Sequence, residues 1–87
     1  MKKNKIEEIV VFAINAELKE FKRKLIPDKE GKWKESEFRA DLGMDSLKTV
    51  EAFMICEKEC GIMFTDDEII KSKTVGDLIN KIQEKLN

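Results

Sequence analysis

The stretch Leu42-Gly43-Met44-Asp45-Ser46-Leu47 places a glycine-bearing turn directly before the start of a predicted helix. Asp45 is a favourable N-cap residue, because its side chain can accept a hydrogen bond from a free backbone N–H of the first turn. Ser46 then becomes the first helical residue, and apolar residues follow it at helical spacing. The stretch therefore predicts a serine at a helix N-terminus.

This position gives the Ser46 hydroxyl an unusual electrostatic environment. Free backbone N–H groups and the positive end of the helix dipole lie beside it, and both stabilise anions. A phosphodiester attached to Ser46 would be stabilised there. Considered alone, however, the triplet Asp45-Ser46-Leu47 is more typical of a serine that acts as a second capping residue.

The first helix is predicted to begin at Asn4-Lys5-Ile6-Glu7, which fits a capping box. Pro27 disfavours helical geometry at Ile26 and marks the start of a long loop, which Trp33 and Phe38 are expected to anchor to the bundle. The apolar residues with helical period before that loop are Ile6, Ile9, Val10, Ala13, Ile14, Leu18, Phe21 and Leu25.

Three further helices are predicted. The second runs from Ser46 to about Cys60, where Gly61 supplies a left-handed C-terminal residue. Thr65-Asp66-Asp67-Glu68 fits a capping box that opens a short third helix, and Thr74-Val75-Gly76-Asp77 opens the fourth. No strand-like alternation competes, so we expect an all-α four-helix bundle with a long loop between helices 1 and 2.

Composition predicts one small domain that spans residues 1–87, since 41% of the 87 residues are hydrophobic. No apolar run approaches the roughly 20 residues that a membrane span requires. The cluster Ile9-Val10-Val11-Phe12 lies within charged sequence, unlike the apolar core of a signal peptide. We expect a cytoplasmic, monomeric protein that does not bind membranes.

Residue content argues against an enzyme. The chain contains no histidine, so Ser46 cannot belong to a Ser-His-Asp arrangement. Lys48 lies two residues further along the helix, does not face Ser46, and is interpreted as a solvent-facing charge. Cys56 and Cys60 share one helix face and are interpreted as small core residues; a metal site would need further ligands, which a chain without histidine could supply only as carboxylates.

Negative charge is concentrated around the predicted helix that begins at Ser46. Residues 41–68 carry eight acidic and two basic side chains, although the whole chain has a net charge of −1. Such a surface can steer basic partners, or it can simply be a solvated face. Nucleic-acid binding is not expected, because the lysines of residues 1–35 are interspersed with acids and no aromatic-rich motif accompanies them.

The run from Phe38 through Leu47, followed by Thr49-Val50-Glu51, Gly61-Ile62 and Lys73-Thr74-Val75, resembles the acyl carrier protein family over residues 3–85. The resemblance implies a four-helix bundle in which Ser46 receives phosphopantetheine from coenzyme A, with Asp45 in a supporting role. It also implies a phosphopantetheinyl transferase and acyl-processing enzymes as partners. Many fatty-acid carriers have an acidic residue directly after the motif, whereas this chain has Lys48 there.

The same resemblance divides the second helix into two faces. It implies that Leu47, Val50, Glu51 and Met54 meet partner enzymes. It also implies that a stripe of small side chains, spaced four residues apart along this helix, faces the bundle interior. That stripe leaves room for an acyl chain, or Phe53 and Ile55 refill the volume; both alternatives stay open. Its members are Ala52, Cys56 and Cys60.

The predicted function is a non-catalytic carrier of acyl intermediates as thioesters, in fatty acid or specialised lipid or polyketide biosynthesis. An aminoacyl or D-alanyl carrier is an alternative that uses the same mechanism. From a different class, an unmodified helical interaction module would bind a partner through Leu47, Val50 and Met54, with Ser46 as a cap.

Overall fold

Four α-helices make up the bundle in a computed structural model that describes residues 1–87, and the predicted fold class is confirmed. Short 3-10 turns span Lys19–Phe21 and Lys32–Glu35, and one isolated β-bridge joins Glu37 to Thr74. None of the four helices combines the length and the apolar character that a membrane span requires. The helices are α1 (Lys3–Leu18), α2 (Ser46–Cys60), α3 (Asp66–Lys71) and α4 (Val75–Leu86).

The predicted capping box at the start of α1 is wrong. The helix begins at Lys3, and its N-cap residue, Lys2, makes no side-chain capping hydrogen bond. The Lys2 carbonyl already accepts a hydrogen bond from the Ile6 N–H at 3.1 Å, so Asn4 lies inside the first turn and cannot cap it. Helix α1 therefore depends on its buried face rather than on a cap.

The end of α1 also differs from the prediction. The helical period was expected to reach Leu25, but α1 ends at Leu18, and Lys22 adopts left-handed geometry with φ of 57°. The Asn15 side chain holds the returning chain through both the N–H of Leu25, at 2.7 Å, and its carbonyl, at 3.2 Å. Leu25 therefore reaches the core from the loop, whereas Phe21 is 52% exposed.

A single core of twenty buried apolar side chains connects α1, α2, α4 and the loops. Helix α3 contributes none of the twenty and packs against this core through Ile69. Phe53 is fully buried, and its ring meets those of Phe38 and Phe64 edge to face at centroid distances of 5.7 and 5.2 Å. Trp33 and Phe38 are buried, which confirms that they anchor the long loop. The aromatic cluster thus ties α2 to the loops on both sides.

Backbone hydrogen bonds fasten the long loop to the start of α4. The Phe38 N–H donates to the Lys73 carbonyl and the Val75 N–H donates to the Ser36 carbonyl, each at 3.0 Å. The capping box predicted at Thr65, before α3, is formed, and the predicted start of α4 at Thr74 carries a second capping box. These contacts fix the loop that leads into α2.

We expect Phe53→Ala to destabilise the protein by about 3–5 kcal/mol, because it removes the centre of the aromatic cluster and leaves a cavity. Met54→Ala is the matched control: Met54 is adjacent but 57% exposed. Its replacement should change stability by less than about 0.5 kcal/mol. Urea unfolding followed by circular dichroism measures both, and equal losses would contradict this assignment of the core.

Candidate functional site: the exposed serine at the start of α2

Asp45 fixes the first turn of α2. Its Oδ1 accepts a hydrogen bond from the Lys48 N–H at 2.9 Å, and its carbonyl accepts one from the Thr49 hydroxyl at 2.9 Å. Capping is therefore performed by Asp45, as predicted, and does not require the hydroxyl of the exposed Ser46. The second-cap interpretation of Ser46 is not needed to explain the helix start.

Two backbone donors remain available beside the Ser46 hydroxyl. The N–H groups of Ser46 and Leu47 have no acceptor within the chain, as is usual for the first residues of a helix. They lie at the positive end of the fifteen-residue α2 dipole. A phosphate esterified to Ser46 would meet these donors without displacing any existing hydrogen bond.

The loop before Ser46 is held by its own hydrogen bonds. The Met44 N–H donates to the Phe38 carbonyl at 2.8 Å, and Gly43 adopts left-handed geometry with φ of 68°. The Arg23 guanidinium lies against this turn and donates to the Asp41 carbonyl at 3.2 Å. The positive φ favours glycine there, whereas the only close neighbour of an added Cβ would be Arg23 Nη1, at 2.5 Å, which ends a flexible side chain.

An open groove of about 360 Å³ runs from Ser46 towards α3. Phe38, Met44 and Val50 contribute apolar surface from the loop and α2, while Ile69 and Ile70 contribute it from α3. Ser46 is therefore one of the residues that line a largely apolar groove. A flexible group attached to Ser46 could fold back onto that surface.

The four residues predicted to meet partners all belong to α2, but their exposure differs. Leu47 is 66% exposed and Met54 is 57% exposed, whereas Val50 and Glu51 are half-buried. Sequence reasoning missed Ile70, which is 72% exposed on the α3 side of the groove. The adjacent pair Ile69-Ile70 in a helix of only six residues was the available signal, because neighbouring residues cannot both face one core.

The small stripe of α2 does face the core. Ala52 and Cys56 are fully buried, and Cys60 is 9% exposed. The groove beside Ser46 contacts none of the three. The fully buried Phe53 ring occupies the space between its two aromatic neighbours, which agrees with the refilling alternative rather than with an open cavity at the stripe.

The solvent-facing interpretation of Lys48 is wrong. Its side chain is only 24% exposed, and its ammonium forms an ion pair with Glu20 and lies 4.0 Å from Glu17 Oε1. The same ammonium lies 5.7 Å from the centroid of the Phe21 ring. Glu17 lies in the last turn of α1 and Glu20 in the 3-10 turn that follows it, so this part of the chain lies against the start of α2.

Burial of the Glu17 carboxyl raises its pKa, and the nearby Glu51 carboxylate raises it further. The Lys48 ammonium acts in the opposite direction and lowers the pKa. Glu17 therefore lies among charges of both signs at the contact between α1 and α2. The lysine reduces the repulsion between the two glutamates.

Both cysteines are poor nucleophiles. Burial, followed by repulsion from the Cys60 thiol, raises the pKa of Cys56 to about 12. Burial likewise raises the pKa of Cys60. Since the thiolate is the reactive form, neither side chain supplies a reactive sulfur at neutral pH.

Comparisons with known proteins agree with this geometry. The family model for the phosphopantetheine attachment site matches residues 24–82. An acyl carrier protein from Rickettsia bellii (strain RML369-C) is 47% identical over 66 residues, which cover 70% of this chain and 77% of the relative. One from Porphyromonas gingivalis (strain ATCC 33277) is 39% identical over 82 residues, covering 94% and 91%.

Fold, site and comparisons together define a carrier protein rather than an enzyme, and its cofactor is phosphopantetheine. The chain belongs to the acyl carrier protein family. The exposed Ser46 hydroxyl, with two free backbone donors beside it, fits the covalent attachment of that cofactor. The resemblance drawn from the sequence is confirmed.

We expect Asp45→Ala to lower the free energy of unfolding by about 0.5–2 kcal/mol, because the Lys48 N–H loses its acceptor. Asp45→Asn is the matched control, since its amide oxygen can accept the same hydrogen bond. Urea unfolding measures both variants. An alanine variant as stable as the parent chain would contradict the capping role.

We also expect the native apo protein at pH 8 to react slowly with a thiol reagent, and Cys56 to react more slowly than Cys60. The raised pKa of each thiol and its burial both oppose reaction. In denaturant, both thiols should react rapidly. Rapid modification of the folded apo protein would contradict this description of α2.

Proposed function

We propose that Ser46 is the residue that carries phosphopantetheine, and that the protein presents acyl intermediates as thioesters on this arm. The observation that carries the proposal is an exposed hydroxyl at the capped start of α2, next to two free backbone donors. Asp45 supports the site by holding the first turn in place. The arm supplies the thiol that bears the cargo.

Attachment forms a phosphodiester between Ser46 Oγ and the pantetheine phosphate of coenzyme A, and it releases the adenosine bisphosphate. The serine proton must leave as the bond forms. The phosphopantetheinyl transferase is proposed to supply the base that accepts it. This protein contributes the hydroxyl and holds it accessible at the helix start.

Leu47, Val50, Glu51 and Met54 form the proposed contact surface for the transferase and for acyl-processing enzymes. The exposed side chains of Leu47 and Met54 supply apolar contact area close to Ser46. Eight acidic residues against two basic ones between positions 41 and 68 favour partners with a basic surface.

The cargo is proposed to be an acyl group of fatty acid or specialised lipid or polyketide biosynthesis. Relatives named acyl carrier protein support an acyl cargo over an aminoacyl or D-alanyl one. The apolar groove between α2 and α3 provides a surface for the first carbons of such a chain. The match to phosphopantetheine carriers argues against an unmodified interaction module.

We further propose that residues 1–87 act as a single carrier domain in the cytoplasm, where coenzyme A and the transferase are available. In support of one domain, a single cluster of buried side chains connects α1, α2, α4 and the long loop. The partners act on this domain from outside.

Incubation with coenzyme A, magnesium and a broad-specificity phosphopantetheinyl transferase should add one phosphopantetheine to the parent chain, measured by intact mass. Ser46→Ala should gain nothing and keep its helical circular dichroism signal. Ser36→Ala is the matched control and should be modified like the parent chain. No addition to a folded parent chain, with the transferase active on another carrier, would contradict the proposal.

A further inference from the structure

Two basic residues, Arg39 and Lys73, line the same groove as Ser46. Arg39 belongs to the long loop before α2, and Lys73 lies directly before the N-cap residue of α4. Both residues are exposed, and neither forms an ion pair with a carboxylate of the chain, whereas six lysines elsewhere do. Their positive charges are therefore available to another anion.

Backbone hydrogen bonds hold both basic residues close to the turn that leads into α2. The Gly43 N–H donates to the Arg39 carbonyl at 3.1 Å. The Phe38 N–H donates to the Lys73 carbonyl at 3.0 Å, and the Phe38 carbonyl accepts from the Met44 N–H at 2.8 Å. Residues from two distant parts of the sequence thus meet at the loop that ends in the serine.

The groove is not positively charged overall, because Glu37 and Asp45 also line it and their carboxylates balance the two cations. A free anion would therefore gain little net attraction there. An anion tethered to Ser46 is different, since the tether holds it next to the groove at a high effective concentration. The phosphodiester of the arm is such an anion, and it is joined directly to Ser46 Oγ.

We propose that Arg39 and Lys73 bind the phosphodiester that joins the pantetheine arm to Ser46, so that the arm leaves the serine over the groove, towards α3. The planar guanidinium of Arg39 can donate two parallel hydrogen bonds to phosphate oxygens, whereas Lys73 supplies a point charge. This inference rests on the proposed function, in which Ser46 carries the arm.

Phosphorus NMR of the holo protein tests the contact directly. The tryptic peptide 40–48 from the holo protein carries the same phosphodiester without Arg39 and Lys73, so its phosphorus shift is the unbound reference. The folded holo protein should give a different shift. Arg39→Gln and Lys73→Gln should each move that shift towards the peptide value, and the double variant should remove most of the difference. Added salt should act in the same direction, because it screens exposed ion contacts.

Lys58→Gln is the matched control, because Lys58 is exposed on α2 and does not line the groove. Its holo form should keep the phosphorus shift of the parent. The chain has only two arginines, so proton–nitrogen NMR adds an internal control. On loading, the Nε–H signal of Arg39 should shift, and that of Arg23, which donates to the Asp41 carbonyl, should stay in place. Arg39→Lys assigns the two signals.

Three results on the holo protein would overturn the inference. A phosphorus shift equal to that of the peptide would show that the folded chain does not bind the phosphodiester. Unchanged shifts in both Arg39→Gln and Lys73→Gln would show that these side chains do not contact it. The same change in Lys58→Gln would show a general effect of charge.

Intact mass is measured before the spectra and separates this inference from the proposed function. A parent chain that gains no phosphopantetheine would overturn the proposed function, and this inference with it. A chain that gains the arm on Ser46 but gives one of the three results above would overturn only the contact with Arg39 and Lys73.

Discussion

The hydrogen bond from the Lys48 N–H to the Asp45 carboxylate caps α2 so that the helix begins at Ser46, and the site depends on that helix start. At 3.6 residues per turn, a helix that starts at Ser46 turns Phe53 and Cys56 into the core and leaves Leu47 and Met54 outside. The same start leaves the first two N–H groups free beside the serine. Core packing and access to the hydroxyl thus follow from one helix start.

A second constraint comes from the segment between α1 and α2. Asn15 holds Leu25, Phe38 inserts into the core, and Arg23 lies against the turn that leads into α2. These contacts give a long connection a defined path although it contains little regular structure. Lys48 of α2 meets Glu17 of α1 and Glu20 of the 3-10 turn that follows α1, so this segment also contributes charge next to α2.

The sequence predicted best where the signals are local. The limits of α2, the capping box of α3 and the start of α4 follow from residues three or four apart, such as Thr65 and Glu68. The sequence predicted poorly where tertiary contacts decide the end of a helix or the surroundings of a side chain. The period that continued through Phe21 gave no sign that Asn15 and Leu25 would end α1 early, and the surroundings of Lys48 depend on where α1 ends. The exposure of Ile70 depends likewise on how α3 packs.

The most direct measurement is a fragment-ion mass spectrum of the tryptic peptide that spans residues 40–48, taken after treatment with coenzyme A and the transferase. This peptide contains Ser46 as its only hydroxyl-bearing residue and has no cysteine. We expect a single phosphopantetheine on Ser46. An unmodified 40–48 peptide from a chain that has gained phosphopantetheine elsewhere would contradict it.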